Sequence, residues 1–270
     1  MKSKIRTSFR KGLGRQGSRL LAILSSEQRE VFTTHDAQKA LGTKGGKVAK
    51  LLHDLAVNGW IARIERGKYL LLPPEAGMQA EYRTHPFIIG RSLVSPYYIG
   101  FSSALNYYGI TEQPSSEAFI VTTTKSAHLV FQSQKYVFVR VAPTRYFGFR
   151  EEWIGNTKFN ISDKEKTIID CLFIPKYSGG LTEVVKAFRE TIDAEKLYRY
   201  ALWMEDLATV KRLGYLVDLF RVKTTILPKL LKKVAGGYCL LDTGGPKTGK
   251  KNKKWRIIEN IPPQELKAEQ

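Results

Sequence analysis

The stretch at residues 43–72 changes abruptly from a helical apolar pattern to β-rich runs, and this change constrains the fold more than any other feature. The apolar residues of the first part stand at i, i+3, i+4 and i+7: Val48, Leu51, Leu52 and Leu55. This spacing predicts a helix with one apolar stripe, with Thr43 as its N-cap and Gly59 as its terminating residue. Residues 61–72 form two β-rich runs around a turn that contains Gly67, which predicts a hairpin.

Two further helices are predicted before this stretch. Residues 19–24 have a short amphipathic pattern, and a second helix begins after Thr33, with Asp36 three residues on as the partner in a capping arrangement, and runs to Gly42. Three helices followed by a hairpin is the order of a winged helix-turn-helix domain, whose third helix enters the major groove of DNA.

The positive charge is concentrated in two blocks. The whole chain has 270 residues and a formal net charge of +19, from 44 Lys/Arg and 25 Asp/Glu. Residues 1–72 carry 15 Lys/Arg against 5 Asp/Glu, residues 73–220 carry 17 against 16, and residues 221–256 carry 11 against 1. Such segregation predicts surfaces that face a polyanion, although a run of lysines can also be a merely solvated surface.

The basic residues of the first block coincide with the predicted third helix and hairpin. We expect double-stranded DNA as the partner of these candidate binding residues: Thr43, Lys44, Lys47, Lys50, His53, Arg63, Arg66 and Lys68. Lysines and arginines mostly contact phosphates, so Thr43, Lys47 and His53 are the better candidates for contacts with base edges. A winged domain that serves only protein–protein contacts is the alternative.

A change of composition at residues 73–77, which include two prolines, predicts a domain boundary. We therefore predict a flexible basic arm at residues 1–16, a DNA-binding domain at 17–76 and a second domain at 77–270. The second domain shows strand patterns followed by helical ones, so the predicted fold class is α+β. The expected strands are 119–124, 136–141 and 158–161, and the expected helices are 101–108, 163–173, 181–191 and 194–204.

Four sequence stretches carry a resemblance to a known family: GWI at residues 59–61, RGKY at 66–69, YYIGFSSAL at 97–105 and ISDKEKTIID at 161–170. In this order they resemble the AbiEi family, the antitoxins of bacterial and archaeal abortive-infection systems. The similarity spans roughly residues 17–260, and DKEKT with Asp170 after it is the most specific part. It implies an operator-binding N-terminal domain that represses its own operon and a C-terminal domain that neutralises a nucleotidyltransferase-like toxin.

The lysine-rich segment after residue 246 departs from the family pattern. It offers possible secondary contacts with a polyanion: Lys247, Lys250, Lys251, Lys253 and Lys254. Residues 244–250 match part of a phosphate-binding loop, but Lys251 stands where that loop needs a hydroxyl for magnesium. We instead predict a mobile basic loop in a hairpin between strands at residues 238–241 and 255–258.

No motif for catalysis, a cofactor or a metal stands out, and the chain is expected not to be an enzyme. Ser162 and Glu165 have the spacing of a capping box, and residues two apart on a helix do not face each other, which argues against joint metal binding by Asp163 and Glu165. A metal-dependent nuclease that uses these two carboxylates, and a plain transcription factor without a toxin, remain alternatives. The chain has two cysteines, which are far apart in sequence and show no disulfide or zinc-site spacing, and this favours a cytoplasmic protein. No apolar run is long enough to cross a membrane, so we expect no membrane contact.

Overall fold

The computed structural model describes residues 10–43, 45–80, 82–112, 115–125, 127–189 and 192–268. Its architecture is mixed α+β, as the sequence predicts. The chain divides into two compact units: one comprises the described residues up to Ser92 together with Ile154–Thr157, and the other comprises Leu93–Trp153 and the residues from Lys158 onward. The first unit therefore extends beyond the boundary predicted at residue 76.

The first unit opens with three helices and a small sheet. Its elements are α1 (Gly14–Ser26), β1 (Val31–Thr33), α2 (Thr34–Leu41), α3 (Gly46–Val57), β2 (Ile61–Glu65) and β3 (Lys68–Leu71), and α4 (Pro86–Leu93) follows. The strands pair antiparallel in the order β1-β3-β2. The core between the helices and this sheet consists of Leu20, Leu24, Phe32, Ala37, Leu41, Val48, Leu52, Leu55 and Ile61.

Local sequence signals explain the limits of α2 and of the hairpin. The Thr33 hydroxyl accepts a hydrogen bond from the Asp36 backbone N–H, and the Asp36 carboxylate accepts one from the Thr33 N–H, which is the capping box that the sequence predicts. Gly42 ends the helix in the left-handed conformation. Gly67 has a φ of 77° in the turn between β2 and β3, where a side chain would strain the backbone.

Part of the segment predicted as a flexible arm is folded. α1 begins at Gly14, and Arg10 donates hydrogen bonds to four backbone carbonyl oxygens, those of Gly59 (3.0 Å), Leu72 (3.0 Å), Pro73 (2.8 Å) and Pro74 (3.4 Å). The Arg10 guanidinium also lies 4.5 Å from the ring centroid of Trp60. The predicted arm at residues 10–16 is thus attached to the unit, whereas residues 1–9 lie outside the described part.

The chain from Tyr98 onward first builds a mixed sheet with α5 and then a set of helices. The elements are β4 (Tyr98–Ile99), α5 (Phe101–Tyr107), β5 (Glu117–Thr122), β6 (Leu129–Phe131), β7 (Gln134–Arg140), β8 (Phe149–Ile154), β9 (Thr157–Ser162), α6 (Lys164–Phe173), α7 (Leu181–Val185), α8 (Ala194–Trp203), α9 (Leu207–Leu219), α10 (Ile226–Leu231), β10 (Cys239–Leu240), β11 (Lys250–Asn252), β12 (Ile257–Glu259) and α11 (Pro263–Ala268). The larger sheet has the order β6-β7-β5-β4-β9-β8 and mixes parallel with antiparallel pairs.

The core of the second unit surrounds α6 and α9. On α6, every residue from Glu165 to Leu172 is buried, and α9 is buried from Thr209 to Val217. Gly214 of α9 faces the ring of Trp255, which is fully buried, and a Cβ at position 214 would overlap that ring. Glycine is therefore required at this position by a close approach between a helix and an indole ring.

One prediction for the second unit is wrong, and another is confirmed only in part. β10 and β12 pair in parallel rather than as a hairpin, and the loop predicted as mobile contains β11, which pairs antiparallel with β12. The helix predicted at residues 181–191 ends at Val185 and continues as a short 3-10 turn at Lys186–Arg189. The residues between β10 and β12 are numerous enough for the chain to cross over, so these two strands can pair in parallel.

Candidate nucleic-acid interface

Helix α3 has a buried side and an exposed basic side. Val48, Leu52 and Leu55 are at most 1% exposed. Lys47, Lys50 and His53, which are predicted binding residues, are exposed on the same helix. Packing of the apolar stripe against the core therefore leaves these polar side chains in solvent, where they can reach a partner.

The start of α3 differs from the prediction at residue 43. The N-cap is Gly45, with a φ of 86°, and α3 begins at Gly46. Thr43 is partly buried and donates a weak hydrogen bond to the Leu41 carbonyl oxygen (3.4 Å), so it does not cap the helix. Lys44, another predicted binding residue, lies outside the described residues. Gly45 replaces a side-chain cap because its unusual backbone conformation turns the chain directly into the helix.

The hairpin carries the remaining predicted cations. Arg63 and Arg66 are exposed, and Arg66 belongs to the turn between β2 and β3. Lys68 differs because its ammonium forms an ion pair with Glu65 (2.9 Å) and its side chain is only 23% exposed. Arg63 and Arg66 are therefore better placed for contact with a polyanion than Lys68, whose charge is partly compensated within the hairpin.

The structure brings three of the predicted residues together around one surface groove. Thr43, Lys47 and Lys50 line an open groove of 430 Å³, whose other lining residues are Gln16, Leu41, Val48, Leu51 and Asp54. Gln16 was missed because the predicted first helix began only at residue 19. The sequence feature that indicates an earlier start of this helix is Gly17. It stands three residues before Leu20 and seven before Leu24, so it continues their helical spacing, and it is buried with them in the structure.

The lysine-rich segment of the second unit is a distinct basic surface. Each of its five predicted lysines is exposed: Lys247, Lys250, Lys251, Lys253 and Lys254. Lys254 forms an ion pair with Asp218 (2.6 Å) and lies 5.7 Å from the ring of Trp255. Lys250 and Lys251 belong to β11, so part of this surface is backbone-paired rather than a free loop.

The carboxylates of the DKEKT stretch converge on a lysine. Asp163, not Ser162, is the N-cap of α6, and its carboxylate accepts a hydrogen bond from the Lys166 N–H (2.8 Å). The Lys196 ammonium contacts Asp163 (3.2 Å) and Glu165 (2.8 Å). The prediction of a Ser162–Glu165 capping box is thus wrong. The spacing argument also fails, because Asp163 precedes the helix and both carboxylates reach one cation.

Electrostatics in this cluster follow from the ion pairs. Burial lowers the pKa of Lys196, but hydrogen bonds to Glu165 and Asp163 outweigh that effect, and the pKa is raised. The Tyr200 hydroxyl donates to Asp163 (3.0 Å), and burial together with this carboxylate raises the pKa of Tyr200 to about 12. The two carboxylates are thereby engaged with a charged lysine and a neutral phenol that hold α6 against α8.

The other acidic residue of the stretch lies deeper in the core. Asp170 is 1% exposed and accepts hydrogen bonds from the Tyr98 hydroxyl (2.9 Å) and from the fully buried Lys166 ammonium. The Asp170 carboxylate therefore has a structural role in the core of the second unit. Within the residues that the structure describes, no group of three or more His, Cys, Asp and Glu side chains is arranged to hold a metal ion.

No helix in the described ranges combines the length and apolar character that crossing a bilayer requires.

No protein-family model and no curated protein matches the sequence. The fold is similar to the crystal structure of the RV2827C protein from Mycobacterium tuberculosis, with a TM-score of 0.71, 15% sequence identity and coverage of 97% of each chain. At this identity the similarity establishes a shared fold and no shared function.

Proposed function

We propose that the first unit is a winged helix-turn-helix module that binds operator DNA, with α3 in the major groove and the β2–β3 hairpin on the flanking backbone. Through it the chain acts as a repressor of its own operon, and the second unit neutralises a nucleotidyltransferase-like toxin. The observation that carries the DNA-binding proposal is the exposure of Lys47, Lys50 and His53 on the side of α3 opposite its buried stripe.

Charge supports a nucleic-acid partner for this unit. Residues 1–72 carry 15 Lys/Arg against 5 Asp/Glu. Arg63 and Arg66 are exposed on the hairpin, the element that touches the DNA backbone in winged modules. Each lysine or arginine that neutralises a phosphate releases condensed counterions, so affinity for DNA should fall steeply as the salt concentration rises.

The antitoxin part of the proposal rests on the resemblance of residues 59–61, 66–69, 97–105 and 161–170 to the AbiEi family. The core position of Lys166 and Asp170 gives the most specific of these stretches a role in packing the second unit. We propose that the surface of that unit binds the toxin and that this binding involves no catalytic residue. We accordingly propose that the chain is not an enzyme and requires no cofactor.

Fluorescence anisotropy with a duplex from upstream of the gene tests DNA binding. We expect the K47E/R66E variant to lose roughly tenfold or more in affinity and the slope of log affinity against log salt to become shallower. The matched control is K125E/K176E, which makes the same change of net charge at two exposed lysines of the second unit. Equal binding by wild type and K47E/R66E would refute the assignment of the site.

Co-expression tests the antitoxin proposal separately. A neighbouring nucleotidyltransferase-like reading frame should arrest growth alone, and the full chain should restore growth. The K47E/R66E variant should restore growth as well as the wild type, because neutralisation is assigned to the second unit. Cleavage of DNA or RNA by the pure protein with Mg²⁺, abolished by Asp163→Ala in a folded variant, would contradict the proposal and favour a nuclease.

A further inference from the structure

The second basic block of the chain forms a surface with almost no exposed negative charge of its own. Residues 221–256 contain 11 Lys/Arg and a single acidic residue, Asp242. Asp242 is only 7% exposed, and its carboxylate accepts a hydrogen bond from the Gly244 N–H (2.7 Å). Asp242 is thus turned to the backbone, and among the cations of the block Lys229 and Lys254 are engaged with Glu195 and Asp218 from outside it.

An exposed aromatic ring lies within this basic surface. The register of the β10-β12-β11 sheet places Leu240 and Lys251 on either side of Ile258, so these three side chains share one face. Ile257, on the opposite face, is fully buried, which makes the first face the outer one. Tyr238 directly precedes β10, is 41% exposed, and has its ring centroid 5.4 Å from the Lys251 ammonium.

Hydrogen bonds hold the backbone around this ring. The Arg256 guanidinium donates to the Gly236 carbonyl oxygen (2.6 Å), and the buried Lys211 ammonium donates to the Gly237 carbonyl oxygen (2.6 Å). The Cys239 N–H donates to the Arg256 carbonyl oxygen (3.1 Å). The backbone on both sides of Tyr238 is therefore held by hydrogen bonds, so a ligand can bind to its ring with little loss of backbone entropy.

Exposed cations surround the outer face. Lys251 lies on β11, Lys253 directly follows this strand, and Arg256 is exposed at the turn before β12. Lys250 is opposite Glu259 in the register and therefore lies on the other face of the sheet. Lys254 is engaged with Asp218 and does not belong to this set. An accessible ring beside several cations is the combination by which proteins hold single strands, with bases on the ring and phosphates on the lysines.

We propose that this face, composed of Tyr238, Lys251, Lys253 and Arg256, is a second nucleic-acid site that binds single-stranded RNA or DNA. A base stacks on Tyr238, and adjacent phosphates contact Lys251, Lys253 and Arg256. A single strand fits better than a duplex because stacking on a side chain requires an unpaired base face. An acidic protein would use the charges but would gain little from the ring.

The experiment uses the full chain in the K47E/R66E background, in which the proposed duplex site is disabled. Labelled 12-nucleotide oligo(U) and oligo(dT) are titrated against it, and affinity is followed by anisotropy. We expect Y238A to lower affinity roughly tenfold, Y238F to retain it, and K251A/K253A to lower both the affinity and its salt dependence. The matched control K125A/K176A removes two exposed lysines elsewhere in the second unit and should bind as the parent does.

Three results would overturn the proposal. Unchanged affinity of Y238A, with melting behaviour equal to the parent, would remove the stacking role. Equal loss in K251A/K253A and in the lysine control would indicate a general charge effect. Equally strong binding to a matched duplex or to vesicles containing anionic lipid, dependent on the same lysines, would indicate a plain polyanion surface. Loss of duplex binding in K47E/R66E with single-strand binding retained separates this site from the one on α3.

Discussion

Lys166 and Asp170 form an ion pair one helical turn apart in which the side chains are 0% and 1% exposed. The Tyr98 hydroxyl donates to the same carboxylate, and the Lys166 ammonium lies 4.4 Å from the ring centroid of Phe147. Burial raises the pKa of Asp170, although Lys166 and Tyr98 act in the opposite direction. The charge of each residue is thus tolerated in the core only because the other is present.

Removal of one partner of the Lys166–Asp170 ion pair should lower the free energy of unfolding. We expect Lys166→Met to destabilise the second unit by about 3–5 kcal/mol, because it leaves the Asp170 carboxylate buried without a counter-ion. The double variant K166M/D170L should lose less than K166M alone, since it removes both charges. Denaturant unfolding measures the difference, and the control is K176M at an exposed lysine. Strictly additive losses in the two single variants and the double variant would show that the pair is not coupled.

The contact between α9 and Trp255 gives a packing prediction. Gly214→Ala should destabilise the fold by about 1–3 kcal/mol or more, because the added methyl overlaps an indole that is fully buried and donates from Nε1 to Asp218 (2.8 Å). Gly237→Ala is the matched control, since nothing lies near the added Cβ there. Thermal unfolding measures both variants. If the added methyl overlaps the indole, the stability lost in G214A/W255L should be smaller than the sum of the losses in the two single variants. A G214A variant as stable as the wild type would refute the overlap.

The capping box of α2 should make the stability of the protein depend on pH in the acidic range. Burial raises the pKa of Asp36, but hydrogen bonds from Thr33 and the ion pair with Arg29 outweigh that effect, and the pKa lies below its usual value. A carboxyl whose folded pKa is lowered stabilises the protein above its unfolded pKa of roughly 3.9, and this contribution is lost as the pH falls through the folded value.

We therefore expect Asp36→Asn to lower the melting temperature at pH 7, by an amount that corresponds to about 1 kcal/mol, and the difference from wild type to shrink as the pH falls below about 4. Thermal unfolding across this range provides the measurement. Asp54→Asn removes an exposed carboxylate from α3 and should change the melting temperature little. A difference between D36N and wild type that does not shrink as the pH falls would contradict the charge-dependent role.

Contacts with phosphates and with bases should be separable on α3. Lys50→Ala should weaken binding to operator and random duplexes alike and reduce the salt slope by about 1. His53→Ala and Thr43→Ala should weaken binding mainly to the operator, because their side chains are proposed to read base edges. Competition titrations with the two duplexes give the specificity ratio. An unchanged ratio in H53A and T43A would assign both residues to positioning rather than to sequence recognition.

Short-range signals in the sequence were reliable for the first unit. The Thr33–Asp36 cap, the left-handed Gly42 and the stripe of α3 depend on residues within one or two turns of each other, so local spacing contains the necessary information. β1 was not predicted, because a strand of only Val31–Thr33 has no pattern of its own and exists through its pairing with β3. The start of α3 was misplaced because Gly45 replaces the expected hydroxyl cap.

Long-range packing decided what the sequence pattern did not predict in the second unit. α9, at Leu207–Leu219, was missed because it is buried on all sides and has no polar face to create a helical period. Its Lys211 and Arg212 are 3% and 4% exposed, and they donate to backbone oxygens of Gly237, Leu240 and Leu172 rather than to solvent.

The sequence by itself determined the α+β class, the basic exposed side of α3 and the chemical character of both positive blocks, because periodicity and charge are properties of neighbouring residues. Only the tertiary structure decided that the DKEKT carboxylates bind Lys196, that Lys166 and Asp170 pair inside the core, and that Tyr238 lies beside Lys251. Those relationships join residues whose separation along the chain is unrelated to their distance in space, or depend on burial, which is a property of the whole fold.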